Sequence, residues 1–159
     1  MLADKLLVLQ YGVQQQFSSP YEVYWKPHNL FVAQYFGDNN LLFATPSSKN
    51  THELMTALGS ITITHNNSIP IGKELLLMCR PHQSVISSYE NKDVLSWKMC
   101  LKKVSFFGAY WRLELYNQTR TWWVDVASSF VNQSSIPFVV GEDYWISVPP
   151  SSWVILHSY

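Results

Sequence analysis

Residues 97–127, "WKMCLKKVSFFGAYWRLELYNQTRTWWVDVA", alternate apolar and polar side chains and are broken by turn signals at Gly108 and around Asn117. In "WRLELYN", Trp111, Leu113 and Leu115 face one way while Arg112, Glu114 and Tyr116 face the other; in "TWWVDVA", Trp122, Val124 and Val126 form the core side. A period of two belongs to a half-buried strand, since apolar positions on a helix recur every three or four residues. Beyond Gly141, "DYWISV" and "WVILHS" repeat the texture. Five strands in about sixty residues predict a small antiparallel barrel, closed or partly closed.

Upstream, "KELLLMCR" reads as a further apolar strand, and "ITIT" and "SIPI" on either side of Asn66-Asn67 predict a hairpin. "DNN" and "TPSSKN" are turn-rich, and "SSFVNQSSIP" reads as a loop. Before Gly37 the pattern changes. "KLLVLQ" and "VQQQF" are two short strands joined at Gly12, after which Ser18 or Ser19 caps a helix with Pro20 in its first turn. Lys26-Pro27 ends that helix, because the residue before a proline is pushed out of the α region. Asn29 then caps a second helix that carries Leu30, Phe31, Ala33, Tyr35 and Phe36 and stops at Gly37.

Eleven basic residues balance eleven acidic ones, so bulk charge favours neither a nucleic-acid backbone nor an anionic membrane surface as partner. Seven Trp, nine Tyr and eight Phe are more than a small core hides, which predicts an aromatic docking surface. Cys79 and Cys100 lie in strand-like runs and are expected as free thiols. No apolar run reaches the roughly 18 residues of a membrane span, and Asp4 stands where a signal peptide wants a base. A cytoplasmic location is the expectation.

No two of the six glycines lie within five residues of each other, which excludes a Walker A loop, a dinucleotide fingerprint and a nucleophile elbow from these residues. His28, His52, His65, His82 and His157 are dispersed and there is no Cys-x-x-Cys, so neither a metal centre nor a cofactor is expected. Glu142-Asp143 reads as a solvated turn. Lys98, Lys102, Lys103, Arg112 and Arg120, interleaved with Trp97, Trp111 and Trp122, would make a single-strand nucleic-acid face if both sets shared one surface. The simpler expectation places the bases outside and the tryptophans in the core.

The opening segment carries a resemblance. Ala3-Asp4-Lys5, Gly12, Gln16, Ser19-Pro20, Val23-Tyr24, Pro27, Asn29, Phe31-Val32-Ala33 and Phe36-Gly37 follow the order found at the end of the ATPase domain in ATP-binding subunits of ABC importers for sugars, polyamines, iron and oxyanions. "LLLMCRPHQSVIS", "VSFFGAYWRLELY" and "VGEDYWISVPPSSWVILH" resemble later segments of the same family. Ser18-Ser19 stands where the family has Gly-Thr, and His82 where it has Glu.

The resemblance implies a mainly β chain: residues 1–37 as a strand-strand-helix-helix remnant of the ATPase domain, and residues 38–159 as an OB-like antiparallel barrel of the transport-associated (TOBE) type. It implies a regulatory and dimerisation role without catalysis, because the Walker A, signature, Walker B and switch-histidine segments of the family would precede Met1. The implied partners are an ATPase core, a second copy of the domain and, indirectly, a membrane permease, with no nucleic acid and a place peripheral to the inner membrane. An alternative from the oxyanion importers is small-ligand sensing. Arg80, Lys102 and Arg112 are then the expected anion donors, with His82 beside Arg80 as a further ligand or interface residue.

Overall fold

The computed structural model describes residues 3–47, 50–64, 73–134 and 138–156. Strands β1 (Leu6–Gln10) and β2 (Val13–Ser18) form an antiparallel hairpin closed by Gln10 opposite Val13. Its two-residue turn, Tyr11-Gly12, holds φ of 50° and 80°. Left-handed conformation at both positions is the geometry whose twist suits a tight hairpin.

Helix α1 (Pro20–Trp25) starts at Ser19, whose hydroxyl accepts the Glu22 N–H at 3.3 Å while the Glu22 carboxylate accepts the Ser19 N–H at 3.2 Å. This reciprocal pair satisfies two orphan donors of the first turn, and the Ser19 hydrogen bonds hold the Glu22 carboxyl below its ordinary value. Helix α2 (Leu30–Tyr35) is capped by Asn29, whose Oδ1 accepts the Val32 N–H at 3.0 Å. Between them the buried Gln16 side chain fixes the Lys26-Pro27-His28 step, donating to the Lys26 carbonyl at 3.2 Å and accepting the His28 N–H at 2.9 Å.

The remaining described strands make two five-stranded antiparallel sheets. The second sheet in chain order of its members runs β12-β6-β3-β4-β5, built from β3 (Asn40–Ser47), β4 (Asn50–Thr56), β5 (Gly59–Thr62), β6 (Leu75–Cys79) and β12 (Val154–Leu156). The other runs β10-β9-β8-β11-β7, built from β7 (Val85–Ser87), β8 (Ser96–Phe106), β9 (Tyr110–Asn117), β10 (Arg120–Ala127) and β11 (Asp143–Ser147). Both contribute to one core around Leu42, Leu54, Leu77, Leu101, Leu113 and Trp122. The chain is mainly β, with an antiparallel sheet curled as a half-barrel.

Two details differ from the sequence expectation. The five C-terminal strands do not share a sheet, because a 3₁₀ turn at Pro150–Ser152 redirects the chain and β12 pairs with β6 across the core. The segment beginning "SSFVNQS" is a helix, α3 (Ser128–Ser134), not a loop. Its start is anchored by tertiary contacts, the Ser128 N–H donating to the Ala109 carbonyl and the Ser128 Oγ to the Gly108 carbonyl, which no local signal announces. The tip of the hairpin expected around Asn66-Asn67 lies outside the described residues, but its first arm, β5, pairs with β4.

Helix α2 lies on the outer face of the β12-β6-β3 edge, where Ala33, Met78 and Leu156 are buried together with Leu30, Leu41 and Leu76 around them. The hairpin packs its inner face on both helices through Val8, Val23 and Val32. On its outer face Leu7, Leu9 and Phe17 are exposed. Cys79 is a buried free thiol that burial pushes up to about 12, and Cys100 is a half-buried free thiol.

Candidate functional site at the seam

Arg80 leaves β6 just before a proline, and its backbone N–H donates to Gln83 Oε1 at 2.8 Å, closing a single 3₁₀ turn over Pro81–Gln83. That corner turns the side chain under the two short helices, where it is 1% exposed. Nη1 donates to the carbonyls of Ala33 and Gly37, both at 3.0 Å, to that of Asp38 at 3.3 Å and to Asn39 Oδ1 at 2.7 Å. Nη2 donates to the Tyr24 carbonyl at 2.9 Å, and the guanidinium lies over the Tyr24 ring at 4.3 Å.

Two of these acceptors, the Tyr24 and Ala33 carbonyls, are in the last turns of α1 and α2, where the helix dipoles favour a cation; the Gly37, Asp38 and Asn39 oxygens belong to the link that follows α2. Burial lowers the Arg80 pKa, and the Tyr24 and Asp38 side chains oppose that; an arginine stays charged regardless. Gly37 is matched to this clasp. Its φ is 147°, and a Cβ there would sit 3.4 Å from Arg80 Nη1.

A second arginine stands beside the first. Arg112 on β9 makes a bidentate pair with its cross-strand neighbour Asp125 on β10, Nε to Oδ1 at 2.7 Å and Nη2 to Oδ2 at 2.8 Å. Nη1 donates to the carboxylate of Asp38 in the link between α2 and β3. The Phe107 and Tyr110 rings each lie 5.6 Å away. Hydrogen bonding by Asp125 first, and by Asp38 after it, raises the Arg112 pKa further.

His82 stacks on Tyr24 at 6.3 Å and meets Trp25 edge-on at 5.2 Å. Together Tyr24, Asp38, His82, Tyr110, Arg112 and Asp125 line a cleft of about 520 Å³ between the helical unit and the barrel. Burial holds the His82 pKa below its ordinary value, with Asp125 opposing and Arg80 adding to the shift. A depressed histidine pKa contributes stability above the unfolded value of about 6.5 and loses it as pH falls. Acidification from about pH 7 to about pH 5 is therefore expected to loosen the contact of α1 with the barrel. Protection factors of the α1 amides, referred to the intrinsic exchange rate at each pH, should fall across that range in the parent chain and stay flat in His82→Gln; a fall of equal size in both would exclude His82 as the cause.

The expected site residues are thus divided. Arg80, His82 and Arg112 gather at the seam, while Lys102 stands at the far end of the β9–β10 hairpin with its Nζ 3.5 Å from Glu114 Oε1. As anion donors the two arginines are already committed, Arg80 to carbonyls and Arg112 to carboxylates. The basic-aromatic face does not assemble: Trp97 and Trp122 are buried against each other at 5.0 Å, and Lys98 pairs with Asp143 at 3.3 Å. Among the described residues no three His, Cys, Asp or Glu side chains gather to hold a metal, and no helix is long and apolar enough to cross a membrane.

Asp38, Asn40 and Ser84 carry no sequence signal beyond "turn" or "loop". Asn40 is nonetheless buried, pairing with both backbone groups of Trp123 at 2.7 and 2.9 Å and thereby tying β3 to β10.

No family model matches the chain. The sn-glycerol-3-phosphate import ATP-binding protein UgpC of Escherichia coli O1:K1 is 35% identical over 91 residues, covering 55% of this chain and 25% of that protein. The Fe(3+) ions import ATP-binding protein FbpC of Haemophilus influenzae strain 86-028NP is 29% identical over 124 residues, or 77% and 34% of the two chains. The sulfate/thiosulfate import ATP-binding protein CysA 2 of Chromobacterium violaceum is 26% identical over 151 residues, or 93% and 40%. The chain is a homologue of ABC importer ATP-binding subunits.

This homologue spans between 25% and 40% of the length of those subunits, over a C-terminal region. A crystal structure of the cytoplasmic molybdate-binding protein ModG superposes with a TM-score of 0.58 at 11% identity, covering 73% of this chain and 94% of that one. At that identity the match concerns the fold, which is OB-like. In the importer-subunit homologue the Arg80-Pro81 step is the corner that aims the clasp. His82 beside it places an aromatic ring against Tyr24 and Trp25.

Proposed function

We propose that these residues serve as the C-terminal, non-catalytic portion of an import ATP-binding subunit, with residues 1–37 as the end of the ATPase domain and residues 38–159 as a TOBE-type regulatory and dimerisation domain. The observation that carries this is the β1–β2 hairpin. A two-stranded sheet is marginal by itself, and this one covers only one of its faces. Leu7, Leu9 and Phe17 on the other are between 50% and 53% exposed, and β1 has an unpaired edge among the described residues.

An ATPase core that continues the sheet would bury that face, each side chain contributing on the order of 1 kcal/mol. The Arg80 clasp would then couple the core to the barrel. The partners are the ATPase core, a second copy and, through them, the permease; the place is cytoplasmic, peripheral to the inner membrane. ATP turnover requires a phosphate cradle and a Mg²⁺ ligand set that isolated glycines and dispersed carboxylates do not supply.

Two measurements test this. The purified chain is expected to hydrolyse no ATP above background; turnover that disappears on changing Asp4 or Lys5 would defeat the proposal. Mixed with an import ATP-binding subunit shortened by the matching C-terminal region, it is expected to form a complex visible by light scattering. Leu9→Asp with Phe17→Asp should abolish that complex without changing the far-UV spectrum.

A further inference from the structure

The tip of the β1–β2 hairpin is built against its own backbone. Tyr11 holds φ at 50°, and among the described residues it alone of the non-glycine residues has a positive φ. At that angle the Cβ crowds the neighbouring carbonyl oxygen, which is why such turns take Asn, Asp or Gly. Tyrosine gains nothing inside the chain in return. Its side chain is 98% exposed and makes no hydrogen bond, ring contact or cation contact among the described residues.

Two further apolar side chains flank it. The register pairs Leu7 with Phe17 and Gln10 with Val13, so Leu9 lies on the face of Leu7 and Phe17 while Val13 lies on the opposite one, with Val8. Val8 is buried against the helices, whereas Val13, nearer the tip, is 63% exposed. Apolar surface therefore passes from one face of the ribbon over the apex to the other. No charged residue occurs from Leu6 to Tyr21.

A flat surface laid on the outer face would cover Leu7, Leu9 and Phe17 and leave Tyr11 and Val13 in water. Covering all of them takes a concave partner that receives the tip between two walls. Apolar side chains on both faces call for apolar walls, and an uncharged ribbon brings no countercharge for an ionic group buried there. At the floor, the phenol hydroxyl loses water and needs one polar partner. Tyrosine suits this part: its large ring turns about two side-chain torsions, so little entropy is lost when it is fixed. Tyrosines are also frequent among the residues that dominate interface energies.

We infer that the hairpin tip is a plug, anchored by Tyr11, that seats in a neutral apolar cleft with a polar floor on the ATPase core. Given the docking role proposed above for the hairpin, on which this rests, the tip fixes the shape and chemistry of the receiving surface. Leu9 makes the tip continuous with the outer face assigned to that core. The matched C-terminal region is at most 40% of the length of the relatives named above, which leaves each of them a larger part outside the match to supply the cleft.

Calorimetric titration of the intact chain with the import ATP-binding subunit shortened by the matching C-terminal region, first checked for ATP binding, is the test. Tyr11→Asn suits the left-handed turn and is expected to raise the thermal unfolding midpoint of the free chain by about 2 °C. The same change should weaken the complex about tenfold or more. Tyr11→Phe, which keeps the ring and loses the hydroxyl, should fall between the two in affinity, and Tyr89→Ser, at an exposed tyrosine after β7, should leave it unchanged. Unaltered affinity in Tyr11→Asn would overturn the inference and leave the docking role standing; no complex with the parent chain would overturn both. A lower unfolding midpoint in Tyr11→Asn would mean that contacts within the chain hold Tyr11, and would overturn it too. So would self-association of the chain alone that Tyr11→Asn abolishes, which assigns the tip to a second copy.

Discussion

Arg80→Ala is expected to lower the unfolding free energy by about 3–5 kcal/mol, the range for removing one side of a buried charged network. The guanidinium reaches four backbone carbonyls and one side-chain oxygen from Tyr24 to Asn39. Each acceptor left buried without a donor costs about 1–3 kcal/mol; water entering the vacated space offsets part of that sum. Lysine has three donors on one nitrogen and no planar fork, so Arg80→Lys should recover only part of the loss.

Urea unfolding followed by circular dichroism measures the effect, and amide exchange locates it. Protection should fall first in α1 and α2, whose last carbonyls the arginine holds, and least in β9. A loss below about 1 kcal/mol, the worth of a single ordinary hydrogen bond, would mean that the clasp does not join the helical unit to the barrel.

Trp122→Ala is expected to cost about 3–5 kcal/mol, as for other large aromatic deletions in a packed core. Trp122 is 1% exposed, meets Trp97 at 5.0 Å and Trp153 at 6.2 Å, and so fills the space between the two sheets. Its Nε1–H donates to Ser84 Oγ at 3.0 Å, and Ser84 in turn lies 3.4 Å from Asn40 Nδ2. The truncation therefore opens a cavity and also breaks a polar chain that links β10 to β3. Trp122→Phe should cost less, retaining most of the ring contact while leaving the Ser84 hydroxyl short of a donor. Thermal unfolding and the near-ultraviolet dichroism of the coupled tryptophans report both changes; a phenylalanine variant as unstable as the alanine one would place the effect in the hydrogen bond and not in the packing.

Most elements could be read along the chain. Ser19, Pro20 and Asn29 announced the two helices, and the alternation in "WRLELYN" and "TWWVDVA" assigned Leu113, Leu115, Trp122 and Val124 to the interior, where they are buried. The helix α3 and the transfer of β12 to the second sheet were illegible because each depends on contacts made elsewhere, at the Gly108–Ala109 turn and on β6. Of the site, the residue types were visible but their states were not. Arg80, Lys102 and Arg112 read alike as basic side chains near strands, yet one is buried on carbonyls, one is exposed on a bulge and one is clasped by two carboxylates.

Residue order alone determined what is settled within a few bonds: strand period, helix caps, the proline stop, and the order of motifs that marks the importer-subunit resemblance. Tertiary structure decided which charges are available. Arg80 meets the Ala33 carbonyl 47 positions away, and Arg112 meets Asp38 74 positions away. Desolvation and pairing set the behaviour of an ionic side chain, and both are supplied by atoms that the chain brings near only when it folds.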